Sequence, residues 1–141
     1  HPGGKLQIVC RSRQAQILSS WSDDNGKNWT VLTPAGLPNP NSGLDAVTLG
    51  DGRHIVVYNH LTSGRNMLNV SVSEDGKTWK AAALLENDVK GTEYSYPAII
   101  QSNDNLIHIT YTWNRKLIKH VVLNPGQIET RPFVNGEWPS E

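Results

Sequence analysis

Apolar residues in this chain come in short runs broken by Gly, Pro, Asn and Asp, the pattern of strands joined by tight turns. The pattern is clearest between Leu44 and Leu85. Leu44 to Leu49 reads as a short apolar strand closed by the turn Gly50-Asp51-Gly52. His54 to Asn59 (HIVVYN) is rich in β-branched and aromatic residues, so it reads as a buried strand. Leu68 to Ser73 alternates Leu, Val and Val with Asn and Ser, which predicts a half-buried strand. Trp79 to Leu85 makes a fourth, edge-like strand, so the unit runs up and down four times.

The flanking stretches overlay on this unit. Leu6 to Arg11, Gln16 to Ser22 and Trp29 to Leu32 match its second, third and fourth strands, with Pro2-Gly3-Gly4 in the place of the Gly50-Asp51-Gly52 turn. On the far side, Ala98 to Gln101 matches the first strand and Ser102 to Asn105 its turn. Leu106 to Trp113 and Lys116 to Leu123 follow, joined by a tight Asn114-Arg115 hairpin. No fourth strand is defined there.

One turn signature occurs twice, about fifty residues apart. Ser22-Asp23-Asp24-Asn25-Gly26-Lys27-Asn28-Trp29 and Ser73-Glu74-Asp75-Gly76-Lys77-Thr78-Trp79 both fit S-x-D-(x)-G-x-x-W. The short carboxylate accepts N–H bonds from its own turn. The Gly supplies a positive φ, and the Trp opens the next strand with a ring to bury. Repeated four-stranded units of this length predict propeller blades.

The expected fold class is therefore all-β: about three blades of four-stranded antiparallel sheet, roughly 1–38, 39–90 and 91–141, the first lacking its inner strand. Propellers close with about four to eight blades. The expectation is a portion of a longer chain, in keeping with the absent initiator Met, or a subunit that other copies complete. Alone, such a segment is expected to be marginal, sticky at its open edges or oligomeric.

Composition narrows the function classes. The formal net charge is zero with 37% hydrophobic residues, and the pI is near 7.1, which disfavours nucleic-acid and polybasic membrane partners. No apolar run reaches a membrane span and no signal peptide is visible, so the sequence leaves localisation open; a secreted or periplasmic parent is one expectation. The lone Cys10 is expected as a buried thiol in a strand. Asn28-Trp29-Thr30 and Asn69-Val70-Ser71 match glycosylation sequons, a common triplet that carries little weight. His54, His60, His108 and His120 lack metal-ligand spacing and read as core or rim histidines, so no metal and no cofactor is expected. No nucleophile elbow, P-loop or dinucleotide fingerprint is present.

The paired turns resemble the Asp-boxes of the sialidase superfamily. The stretches LPNPNSGLDAV, GRHIVVYNH, EYSYPAIIQ and IHITYTWNRKLIKHVVL are similar to its bacterial group of predicted neuraminidases and BNR-repeat-like proteins, from Gly3 to about Pro125. The resemblance implies the C-terminal half of a six-bladed propeller. It implies that Ser22, Asp24, Gly26, Trp29, Ser73, Asp75, Gly76 and Trp79 are structural, on the face away from an active site. It also implies a chemistry. A sialic acid carries a carboxylate that arginines can clamp through bidentate, permanently charged bonds. A neutral Tyr, activated by a Glu, then serves as nucleophile where a carboxylate would be repelled.

In family order, Arg11 and Arg65 match the second and third clamp arginines and Tyr94 the nucleophile, with Arg13 an alternative to Arg11. Each has a plainer reading: a surface ion pair for the arginines, a packed aromatic for Tyr94. Side-chain alternation in an extended segment puts Tyr94 and Tyr96 on one side and Glu93 on the other, which argues against Glu93 as the partner base. The first clamp Arg, the acid/base Asp and the partner Glu come from preceding segments in the family, so this segment alone is expected to be inactive.

A second constellation lies around Asn39, Asn41, Ser42 and Asp45, with Tyr58-Asn59-His60 closing the neighbouring strand. Asp45 and His60 are candidates for an acid/base pair, with Asn41 beside them as a ligand contact. The alternative is a turn in which Asp45 satisfies backbone. Trp21 and Trp113 are candidates for stacking on sugar rings. The leading function is a sialidase-like exo-glycosidase segment acting on terminal acidic sugars. The alternatives are another glycosidase or lyase of the same fold, or a non-catalytic glycan-binding segment. Partners are then a glycan and the remaining propeller half or other copies of the chain. Convergence of Arg11, Arg65 and Tyr94 opposite the Asp-boxes would favour the first.

Overall fold

The computed structural model describes residues 1–140. Among them, ten strands form three antiparallel sheets. The first sheet holds β1 (Leu6–Cys10), β2 (Gln16–Ser22) and β3 (Thr33–Pro38) in that order. The middle sheet runs β4 (Asp45–Thr48), β5 (His54–Tyr58), β6 (Met67–Ser73) and β7 (Lys80–Asn87). The third contains β8 (Tyr94–Gln101), β9 (Ile107–Trp113) and β10 (Leu117–Leu123), with β9 central.

The sheets stack face to face, and β5 shows why. All five of its residues are buried, because both of its faces are covered. Ile55 and Val57 join Leu68, Val70, Ile99, Ile107 and Ile109 in the core shared with the third sheet. Val56 and Tyr58 join Ile17, Leu37 and Trp79 in the core shared with the first. In β6 the apolar residues face the third sheet, while Asn69, Ser71 and Ser73 are buried on the other side. On the small polar side, Ser71 Oγ lies 3.0 Å from Tyr58 Oη and the Asn69 amide oxygen accepts from His60 N–H, while Asn69 Nδ2 is buried without a partner.

One expected strand sits elsewhere, and one pairing was not expected. The strand expected at Trp29 to Leu32 is β3, which starts at Thr33. Pro34 and Pro38 pair with β2 across a register shift, tolerable because β3 is an edge strand. After β10 the chain turns through a 3-10 helix at Pro125–Gln127 and returns to the middle sheet, where Arg131 and Ala81 exchange two backbone bonds of 2.8 and 2.9 Å. Phe133 then packs against the core of the first and middle sheets.

Both Asp-boxes form closed hydrogen-bond sets. Gly26 N–H and Gly76 N–H each donate to the Ser hydroxyl of their box at 2.9 Å, and that hydroxyl donates to the Asp. Asp24 accepts from Asn28 N–H and Asn28 Nδ2; Asp75 accepts from Lys77 N–H, Thr78 N–H and Thr78 Oγ1. Gly76 also has no room for a side chain. A Cβ there would run into Gln7, His1 (2.6 Å) and Trp21 (2.9 Å) of the first sheet.

Because strands alternate in direction, the Asp-boxes after β2 and β6 lie at one end of the sheets. The connections after β1, β5 and β9 lie at the other, beside the starts of β4 and β8. Side-chain and backbone bonds tie the sheets at both ends. Gln7 Nε2 donates to Gly76 O (2.8 Å) at the Asp-box end, and Tyr94 N–H donates to Arg65 O (2.9 Å) at the opposite one.

Candidate functional site

Arg11, Asn41, Asp45, His60, Arg65 and Tyr94 all belong to segments at the end opposite the Asp-boxes. Within that end the structure sorts them into different surroundings. Arg11 is exposed, one residue past β1. Arg65 lies at the centre of a polar cluster. Its Nη1 is 3.3 Å from Glu93 Oε1, and its guanidinium carbon sits 5.6 Å from the centre of the Tyr96 ring, within cation–π range.

Glu93 holds this cluster together. Ser95 Oγ donates to its Oε1 at 2.8 Å, and Arg115 Nε lies 2.8 Å from its Oε2. Its backbone is clamped too: Glu93 N–H donates to Asn114 Oδ1 and Asn114 N–H to Glu93 O. Burial alone would raise the Glu93 carboxyl, but the Ser95 bond and the Arg115 and Arg65 charges outweigh it and hold the group below its ordinary range. Glu93 is thus an anion between two guanidinium groups.

Tyr94 faces away from Glu93, as alternation predicts, and its surroundings are apolar. It is 1% exposed, packs with Trp113 at 6.4 Å between ring centres, and donates from Oη to Asp88 Oδ2 at 3.0 Å. Burial, reinforced by Asp88, pushes the phenol up and keeps it protonated. Tyr96 does not share that side. The β8–β9 register slips between Ser95 and Ala98, and Tyr96 adopts φ 52° in the bulge. Its ring is 61% exposed and lines a groove of about 570 Å³ with Glu93, Ser95, Thr112, Arg115 and Lys116. The expectation of a shared face fails because Pro97 and the bulge break the two-residue alternation.

The second constellation separates. Asp45 pairs with Val57, whose side chain faces the third sheet, while His60 continues the Tyr58 side facing the first. Asp45 Oδ2 accepts from Ile99 N–H (2.9 Å) and so joins the inner strands β4 and β8. His60 is 5% exposed, bonded to Tyr58 Oη and Gly136 O, and stacked on Phe133 at 4.8 Å. Burial pushes its imidazole down, toward the neutral form. Asn41 is exposed, at φ 59°, in the turn where Ser42 N–H donates to Asn39 Oδ1. The geometry does not assemble Asp45 and His60 into an acid/base pair.

Other expectations are also relocated. Trp21 lies at the Asp-box end, flanked by Lys5 and Lys77 at 5.2 and 5.5 Å. Trp113 is half-buried against the core. Cys10 is half-buried rather than enclosed. Of the two sequon asparagines, Asn69 is wholly buried and the Asn28 amide is bonded to Asp24. Sequence reasoning passed over Glu93, Tyr96 and Arg115 as a group. The pairing of Tyr94 with Trp113 sets residue 93 opposite the 114–115 hairpin, and that register was the available signal.

Comparison with known proteins places the fold. The family model of the BNR repeat-like domain matches residues 1–109. A search of curated proteins found no match. The intramolecular trans-sialidase from Ruminococcus gnavus, solved with oseltamivir carboxylate, superposes over 94% of this chain with TM-score 0.75 and 17% identity. The leech intramolecular trans-sialidase complexed with 2,7-anhydro-Neu5Ac covers 88%, with TM-score 0.71 and 17% identity. A mutant NanB sialidase from Streptococcus pneumoniae covers 89%, with TM-score 0.69 and 18% identity. This chain spans 32%, 22% and 22% of those three chains, respectively. Its stacked sheets are a segment of a sialidase-like β-propeller, and the chain belongs to the BNR repeat-like domain family.

Proposed function

We propose that the end opposite the Asp-boxes forms part of a binding site for the carboxylate of a terminal acidic sugar, as in a sialidase-like glycoside hydrolase. The observation that carries this reading is the stack of Arg65 over Tyr96 beside the ionised Glu93. A guanidinium held on one edge by a carboxylate and on one face by a ring is fixed in direction, and its remaining N–H groups stay available to a ligand. Arg11, exposed in the corresponding connection of the first sheet, is the second carboxylate contact.

Tyr96, rather than Tyr94, is the phenol that meets the sugar in this reading. The backbone at Tyr96 is held in a region costly for a bulky residue, and such strain collects at functional sites. Tyr94, two residues earlier, is anchored in the core and bonded to Asp88. Covalent catalysis by Tyr96 would need a base within hydrogen-bond reach of its phenol and an acid across the sugar at the leaving-group oxygen. Glu93, committed to Arg65 and Arg115, serves here as their counter-ion. The alternative of a non-catalytic glycan-binding segment uses the same residues and differs only in turnover.

Affinity for N-acetylneuraminic acid tests the proposal. Arg65→Ala should weaken binding about tenfold, the usual worth of a hydrogen bond to a charged group. Tyr96→Phe should bind nearly as well as the parent chain but abolish turnover of a fluorogenic sialoside in any longer form of the protein that shows it. Equal affinity in the parent chain and Arg65→Ala would remove this site from consideration.

A further inference from the structure

The turn at Asn114-Arg115, closed by Lys116 N–H to Trp113 O ahead of the Trp113–Leu117 pair, carries Arg at a position where such turns favour Gly. Both central residues have positive φ, 50° and 54°. Asn tolerates that region, but the second position is ordinarily Gly, and Arg carries a steric penalty there. The strained residue is also the one whose Nε lies 2.8 Å from Glu93 Oε2. Its side chain is 75% exposed, and it lines the groove with Tyr96 and Lys116.

A guanidinium offers its hydrogen bonds along edges. With Nε beside Glu93 and the side chain 75% exposed, the two terminal nitrogens of Arg115 suit a carboxylate in bidentate fashion. Arg65 engages the other oxygen of the same Glu93. One carboxylate therefore contacts two guanidinium groups, and Lys116 lines the groove beside Arg115. Asn114 fixes the Glu93 backbone independently of Arg115, accepting from Glu93 N–H at its Oδ1 and donating its own N–H to Glu93 O.

We propose that Arg115 is a further carboxylate ligand for the acidic sugar, held ready by Glu93, and that it sets the preference for an acid over its uncharged ester. This rests on the reading of the Arg65–Tyr96 site given above.

The test is calorimetric titration of the 141-residue chain, Arg115→Gly and Arg115→Lys with two probes, N-acetylneuraminic acid and its methyl ester. Expected is a loss of about tenfold in affinity for the acid in Arg115→Gly, little change for the ester, and partial retention in Arg115→Lys. The Gly variant should also melt at or above the parent temperature, because the turn is relieved. Unchanged acid affinity in Arg115→Gly, or a clear drop in melting temperature with the acid-to-ester ratio preserved, would make Arg115 a structural ion-pair partner and overturn the assignment while leaving the Arg65 site standing. Failure of the parent chain to prefer the acid over the ester would overturn both.

Discussion

The two ends of the stacked sheets use backbone freedom differently. At the Asp-box end, positive φ falls on Gly26, Gly52 and Gly76 and on the tolerant Asn25 and Asn105. At the opposite end it falls also on Ala15, Tyr96 and Arg115, residues for which that region is costly. The Asp-boxes bond their Ser hydroxyls, Asp carboxyls and Gly N–H groups within one turn. The other end leaves a guanidinium group and an aromatic ring exposed. One end behaves as fastening and the other as a surface kept in a less comfortable state for binding.

Substitutions can break or sharpen this contrast. The largest effect should come from Trp79→Ala, which empties a core of Ile17, Leu37, Val56 and Tyr58 and should cost about 3–5 kcal/mol by chemical denaturation. Its counterpart Trp29→Ala should cost about 1 kcal/mol or less, since that ring is 40% exposed and lies on its own Gly26. Equal losses would mean that burial against the neighbouring sheet is not what separates the two boxes.

Next in size is Gly76→Ala, where both the φ of 72° and the first-sheet side chains oppose a Cβ. It should destabilise by more than about 1 kcal/mol. Gly26→Ala shares the strain but meets nothing nearer than 3.6 Å, so it should cost less. At the opposite end the sign should reverse. Ala15→Gly removes a strained residue and should leave stability unchanged or raise it by up to about 1 kcal/mol, read as a shift in denaturation midpoint. A loss there would contradict the assignment of strain to that end.

Acid should act in two steps, visible as melting temperature against pH. His54 and His60 are held neutral chiefly by burial, so their folded values lie below the ordinary 6.5. The unfolded chain binds more protons, and their contribution is lost as pH falls from about 6.5 toward those lowered values. The Asp-box carboxyls follow. Bonds from Asn28, its N–H first, hold Asp24 down at about 2, and the N–H of Thr78 is the main cause holding Asp75 lower still. Their contribution is whole above about pH 4 and lost as pH drops through about 2 and below. Because Asp75 is solvent-exposed and Asp24 partly so, the second step should be shallow and weaker in high salt. Asp75→Asn should flatten it further.

The repeat and most strands were legible because they rest on local chemistry. HIVVYN reads as a buried strand from its β-branched and aromatic content, and S-x-D-(x)-G-x-x-W carries its own turn. Three features escaped because their causes are remote in sequence. The bulge at Tyr96 lies where β8 is tied to the adjacent sheet, with Asp45 taking the Ile99 N–H. The start of β3 at Thr33 depends on which residues oppose Leu18 and Ser19. The return of residue 131 to Ala81 follows from a free edge on β7, which no periodicity near residue 131 announces. The candidate site suffered accordingly. Arg65 was visible in the sequence, whereas its partners Glu93 and Tyr96 needed the register.

The most direct measurement is an amide chemical-shift titration of the isotopically labelled chain with N-acetylneuraminic acid. The account predicts that perturbed amides gather at residues 11–15, 64–66, 93–97 and 114–116, with the boxes at 22–29 and 73–79 unmoved. Shifts concentrated in the boxes, or none at millimolar sugar, would contradict it.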